Sequence, residues 1–277
     1  MAHAGRPEAI AVASHLSRWL TDKGVATRRL EAEPVDVEES ARPEAFASGL
    51  DLVVCVGGDG TFLRSARIAN GASVPVVGVK VGRLGFLTEI EPEEAPAVIE
   101  QVLDGKGKIE RRMALTATSD ALQERHWALN EVMVEKGSRH RLIKLAVELA
   151  GTRICTFSAD GVLVATSTGS TAYSFSARGP IVSPAIDCMI VTPIAAHMVF
   201  DRSFVVGPDE GVELEVVGDE AGVLSTDGQA SVEMPVGARV HIAAAEKPTL
   251  MVRRSDDKNF FDIVREKFGL PSGAEEP

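Results

Sequence analysis

The chain has 277 residues, 45% of them apolar, which is material for two cores rather than one small one. Its net charge of −11 argues against nucleic acid as the main partner, because binding a phosphate backbone needs a basic face. A phosphorylated small molecule held by a few local cations stays compatible with that charge.

The first predicted helix carries Ala9, Ala13, Leu16 and Leu20 on one face, with Lys23 in its last turn and Gly24 as the stop. Short β-branched runs at Leu52–Val56 and Val76–Val79 do not alternate, as expected of strands buried on both faces. Between them Leu63, Ala66 and Ala69 recur at helical spacing. A third helix follows Pro92, with Glu93 and Glu94 near its positive end and Val98, Ile99 and Val102 facing inward. Strands alternating with helices predict a parallel sheet with right-handed crossovers, an α/β domain over 1–112.

Beyond Arg112 alternating segments such as Val212, Leu214, Val216 and Val240, Ile242, Ala244 predict a mostly β domain, a sandwich, over 113–257. The piece NFFDIVREKFGL within 258–277 reads as an amphipathic helix with Phe260, Phe261, Val264 and Phe268 on one side, packing back on the body before a loose tail. Cys55, Cys155 and Cys188 form no CxxC pair, so neither a disulfide framework nor a zinc site is expected. The start MAHAGRPEAI lacks signal-peptide character. The apolar stretch 185–200 is broken by Asp187, Pro193 and His197. A soluble cytoplasmic protein with no membrane partner is expected.

The segment LVVCVGGDGTFLRSARIA carries the first chemical signal. A strand ending at Val56 and a helix beginning near Thr61 would put Gly57, Gly58, Asp59 and Gly60 beyond the carboxyl end of a parallel strand, where ligands collect. The glycines let a phosphate approach backbone N–H groups, and the helix start adds partial positive charge. Asp59 would then repel the ligand unless it accepts a proton from a hydroxyl nucleophile or holds a metal shared with the phosphates. A tight turn with a helix cap is the plainer alternative.

The second signal is DGVLVATSTGSTAYSFSARGP, residues 160–180. Thr166, Ser167, Thr168, Ser170, Thr171, Ser174 and Ser176 offer hydroxyls to ribose and phosphate, and Tyr173, the sole tyrosine, offers a flat ring for a base. A serine- and threonine-rich surface loop is the alternative. Asn130-Glu131 enters an apolar strand, where a polar pair can read a ligand edge. STDGQ, residues 225–229, fits a hairpin turn with Asp-Gly at its tip.

Together VCVGGDGTFLRSAR, VGRLGFLTEI, ALNEVMVEKG, SADGVLVATSTGSTAYSFSARGPIVSP and STDGQ closely resemble the NAD kinases, in that family's order and over most of the chain. GGDGT alone is shared with diacylglycerol and sphingosine kinases; the combination with LNE, GSTAY and DGQ is more specific. The resemblance implies an N-terminal α/β domain, a C-terminal β domain and a C-terminal helix returning to the first domain. It implies phosphorylation of the adenosine 2′-hydroxyl of NAD by ATP or polyphosphate, with Mg²⁺ carried on the donor and no dedicated protein metal site.

By the same resemblance Asp59 is the proton acceptor, and Gly57, Gly58, Gly60, Thr61 and Arg64 lie by the phosphates. Asn130, Glu131, Arg141, Ser158 and Asp160 contact the nucleotide. Thr171, Ala172, Tyr173, Ser174, Ser176 and Gln229 line the dinucleotide pocket. Homodimers or homotetramers, in which neighbouring subunits complete the site, are implied. The chain departs from the pattern at Lys80 (usually asparagine), Ser167 (proline) and Arg178 (glycine). It also begins where the family shows a short strand, so either the start is placed late or the sheet lacks an edge element. A lipid or sphingoid kinase, or a dinucleotide-binding homologue without catalysis, are the competing readings.

Overall fold

The computed structural model describes the chain except residues 32, 34, 36–38, 120, 122–124, 199, 255–258 and 272–277, and except the side chains of 39, 40, 44, 230 and 231. The chain divides into two compact units, one of residues 1–111 with 249–277 and one of Arg112–Pro248.

In the first unit a four-stranded sheet is ordered Val53–Gly57, Val76–Lys80, Thr249–Arg253, Lys108–Arg112, with the first three strands mutually parallel. Ala2 adds a parallel bridge to Val56, whose N–H donates to the Met1 carbonyl at 2.8 Å. Val56, Val77, Val79 and Val252 pack with Ala9, Leu16 and Leu20 of helix Pro7–Asp22 and with Ile99 of helix Ala95–Leu103. Helix Asp59–Ala72 covers the opposite face, where a Cβ on Gly78 would lie 2.9 Å from the Phe62 ring. Cover on both faces is why these strands are unalternating in sequence.

The sequence-based boundary at 257 is corrected. Thr249–Arg253 pairs with Val76–Lys80 and so belongs to the first unit, and the second unit closes at Pro248. The boundary residues 257 and 258 themselves lie outside the described residues, as does the tail over 272–277. Helix Phe260–Phe268 belongs to the first unit. Its expected apolar side also needs correcting: Phe261 is 59% exposed, while Ile263 and Val264 are buried.

The second unit is a sandwich of two six-stranded antiparallel sheets. Val212, Leu214 and Val216 alternate with Glu213 and Glu215 along one strand, turning their side chains into a core shared with Val132, Val134, Val162, Val164 and Leu224 of the other sheet. Strand Gly161–Thr166 is buried at every position, because Leu163 and Ala165 on its second face pack against Cys188 and Ile190.

Candidate active site

In the first unit the strand runs to Gly57, Gly58 is the N-cap, and the helix begins at Asp59 rather than near Thr61. The Gly58 carbonyl accepts the N–H groups of Thr61 at 2.9 Å and Phe62 at 3.1 Å, starting the helix without a side-chain cap. Asp59 therefore stands in the first turn, where the helix dipole favours a negative charge. Its carboxylate is also held from outside the helix. Oδ2 accepts from the Phe86 N–H at 3.0 Å, and Oδ1 accepts from Leu87 N–H at 3.1 Å, Thr88 N–H at 3.2 Å and the Thr88 hydroxyl at 3.2 Å.

That cradle requires a glycine, since a Cβ on Gly85 would fall 2.0 Å from Asp59 Oδ1. Asp59 remains 31% exposed, so one edge of the carboxylate is open. Beside it, a Cβ on Gly60 would meet nothing within 4 Å, leaving backbone open to approach. Arg64, 43% exposed, lies one helical turn on, 3.8 Å from the buried Glu33 carboxylate. Lys80 pairs in register with Gly57 and forms an ion pair of 2.7 Å with Glu91.

In the second unit strand Gly161–Thr166 leads into a 3-10 turn, Thr168–Thr171, and one helical turn, Tyr173–Ser176. Much of the hydroxyl content is structural. The Thr166 hydroxyl donates to the Leu129 carbonyl at 2.6 Å and accepts from Gly169 N–H at 3.0 Å, and the Ser170 hydroxyl binds the Val182 backbone. Gly169 approaches so closely that a Cβ there would lie 2.1 Å from the Asn130 carbonyl oxygen. Asn130 and Glu131 are thus locked under the turn. Tyr173 is 41% exposed, presenting its ring, and the buried Ser174 hydroxyl makes no hydrogen bond among the described residues. Thr171, Ala172 and Ser176 sit on the same turn.

STDGQ is a two-residue hairpin turn between strands Gly222–Thr226 and Gln229–Met234, with Asp227 at φ 51° and Gly228 at φ 66°. It is more than a turn. The Asp227 carboxylate accepts from the backbone N–H groups of Leu129 at 2.9 Å, Asn130 at 2.8 Å and Glu131 at 3.2 Å. Gln229 follows immediately. Asp227 is the residue that sequence reasoning missed; the signal for it was the DG pair, read only as turn chemistry. Burial first, and the Asp227 charge second, push the Glu131 carboxyl up to about 7, and Glu131 Oε2 has no hydrogen-bond partner among the described residues.

Arg141, Ser158 and Asp160 do not join this cluster. Ser158, near the end of strand Thr152–Ala159, and Asp160 both precede strand Gly161–Thr166, whereas the hydroxyl turn follows it, a separation of about 20 Å at strand rise. Asp160 pairs with Lys136, and Arg141, 70% exposed, pairs with Glu220. Of the departures, Ser167 is buried and Arg178 holds φ 66°, a left-handed conformation that glycine adopts without strain.

Residues 1–107 match the ATP-NAD kinase N-terminal domain and residues 129–254 the ATP-NAD kinase C-terminal domain. An NAD kinase of Rhodococcus erythropolis is 37% identical over 293 residues, covering 98% of this chain and 93% of the relative. NAD kinase 2 of Streptomyces avermitilis is 37% identical over 283 residues, with 98% and 93% covered. The crystal structure of an NAD kinase from Archaeoglobus fulgidus in complex with ATP aligns with TM-score 0.73 at 28% identity, covering 92% of each chain. The fold is also that of a yeast NADH kinase complexed with NADH, with TM-score 0.79 at 24% identity over 93% of this chain and 77% of that one. With both halves matched and full-length relatives above a third identical, the chain belongs to the NAD kinase family.

Proposed function

We propose that this protein phosphorylates the adenosine 2′-hydroxyl of NAD to give NADP, drawing the phosphoryl group from ATP or polyphosphate. The observation that carries this reading is Asp59, a carboxylate fixed by three consecutive N–H groups yet open on one edge, in the first turn of a helix that begins on a glycine loop. Asp59 accepts the hydroxyl proton as the sugar oxygen attacks phosphorus. The open backbone at Gly58 and Gly60, and the Arg64 guanidinium, receive the donor phosphates, with Gly57 and Thr61 shaping the loop.

Phosphoryl transfer asks mainly for positioning and charge neutralisation, which suits so sparse a site. Among the described residues no three His, Cys, Asp or Glu side chains converge. That donor set fits a magnesium held chiefly by phosphate oxygens and water, whose chemistry when bound is to neutralise the donor charge. Asn130, Glu131, Thr171, Ala172, Tyr173, Ser174, Ser176 and Gln229 hold the dinucleotide, Tyr173 by its exposed ring.

The separation of Arg141, Ser158 and Asp160 from that turn supports a homodimer or homotetramer in which a second copy brings these residues to the nucleotide. No helix of the described residues is long and apolar enough to cross a membrane. A cytoplasmic location accords with three free cysteines, two of them buried. Long-chain alcohols are poor acceptors in this reading, because the turn after Thr166 offers hydroxyls rather than an apolar lining.

The test is NADP formation by purified protein with NAD and MgATP or Mg-polyphosphate, alongside Asp59→Asn. The variant is expected to lose about 10²–10⁴ in turnover while staying folded. Turnover within a few-fold of the parent removes Asp59 from the role of base, and NAD binding without transfer from either donor selects an inactive homologue.

A further inference from the structure

The C-terminal helix reaches the same carboxylate. Asn259 caps it, accepting from Phe261 N–H at 2.8 Å and Asp262 N–H at 3.1 Å while Asp262 accepts back from Asn259 N–H at 3.0 Å. Two of its rings, Phe260 and Phe268, lie 6.2 Å and 6.0 Å from the Phe86 ring. Phe86 is also the residue whose N–H binds Asp59 Oδ2. Between the two aromatic contacts the helix presents Lys267, with its ammonium 4.3 Å from the Phe86 ring centroid and 3.9 Å from Asp59 Oδ2. A cation over a ring face and beside a carboxylate is attracted by both. Lys267 and Asp59 are each about one third exposed, so the pair is loose enough for a ligand to approach.

We propose that Lys267 is a positioning residue for phosphoryl transfer: its ammonium offsets the Asp59 charge, so that an anionic donor can bind next to the carboxylate that serves as base. This rests on the reading of Asp59 given above. Without the lysine, the Asp59 charge would be balanced only by its hydrogen-bond donors and the helix dipole, and would repel donor phosphates more strongly. The helix that follows the last strand of the sheet thereby becomes part of the donor site rather than a mere cover for the Phe86 segment. Lysine's compact charge on a flexible stem suits a group that must adjust as the donor arrives.

The experiment measures MgATP binding by calorimetry, and NADP formation in parallel, for the parent, Lys267→Met, Lys267→Arg, Asp59→Asn and the double variant Asp59→Asn/Lys267→Met, with thermal melts alongside. Lys267→Met should weaken MgATP binding about 3–5-fold, in line with the upper end for one partly exposed charge interaction. KM for NAD should stay within about 2-fold, and Lys267→Arg should restore most of the donor affinity. In the Asp59→Asn background the same Lys267→Met change should cost no more than about 2-fold, because the charge to be offset is gone.

Unchanged MgATP affinity in Lys267→Met overturns the proposal and leaves the helix a packing element. An equal loss in both backgrounds also overturns it, since the lysine would then act on the phosphates and not through Asp59. A loss in Lys267→Arg as large as in Lys267→Met, or absence of MgATP binding by the parent, does the same. Failure to make NADP with either donor strikes the NAD kinase reading instead, and the binding cycle still decides the role of Lys267.

Discussion

Gly85→Ala probes the Asp59 cradle without replacing a charged side chain. The added methyl would stand 2.0 Å from Asp59 Oδ1 and 2.6 Å from Thr88 Oγ1, where ordinary contact begins at 3.4 Å. The carboxylate and the 85–88 segment must therefore part by about 1.4 Å, a displacement that forfeits one or more of the four hydrogen bonds. Each bond to a charged group is worth about 1.5–3 kcal/mol when buried; with Asp59 partly exposed, about 1–3 kcal/mol in total is expected as lost stability. A shift of this size in a reacting group costs on the order of 10²-fold in turnover. The assay is steady-state NADP formation with a urea titration on the same preparations. Adding Gly85→Ala to Asp59→Asn should lower turnover little further, because the displaced group no longer works. Turnover of Gly85→Ala within about threefold of the parent would refute the claim that the cradle sets the position of Asp59.

Gly60→Ala separates backbone access from stability. A Cβ there meets nothing and the residue is helical, so stability should rise by roughly 0.5–1 kcal/mol. KM for MgATP should nevertheless rise about tenfold as one charge-assisted hydrogen bond to phosphate is blocked; an unchanged KM denies the phosphate that approach. Glu131→Gln tests the raised carboxyl. With its folded value near 7 against 4.5, Glu131 contributes stability that is complete below pH 4.5 and lost as pH rises through 7, up to about 3 kcal/mol. Urea titrations at pH 5 and pH 8 should show a fall for the parent that is smaller in Glu131→Gln, and equal falls would contradict the assignment.

Much of the fold lay in local pattern. Unalternating runs at Leu52–Val56 and Val76–Val79 announced the strands found at Val53–Gly57 and Val76–Lys80, and Val212, Leu214 and Val216 announced a half-buried one, because side-chain period follows directly from which faces meet water. The glycine loop, the hydroxyl turn and the Asn130-Glu131 pair were legible for a similar reason: each concentrates its chemistry within a few consecutive residues. What local sequence could not decide was partnership across distance. Strand Thr249–Arg253 looked like one more element of the β half until its parallel pairing with Val76–Lys80 assigned it to the first unit.

Asp227 looked like turn chemistry until its carboxylate was found on three N–H groups nearly a hundred positions earlier. Lys267 carried no local signal, and Gly85 was legible only as one position of the VGRLGFLTEI segment, since what both do is fixed by the carboxylate brought beside them. Residue order dictates which segments are strand, helix or turn, because those preferences are settled within a few neighbours. Which backbone N–H groups and which cation face Asp59 is settled only by tertiary packing, since the chain must close loops of 27 to more than 200 residues to bring them there.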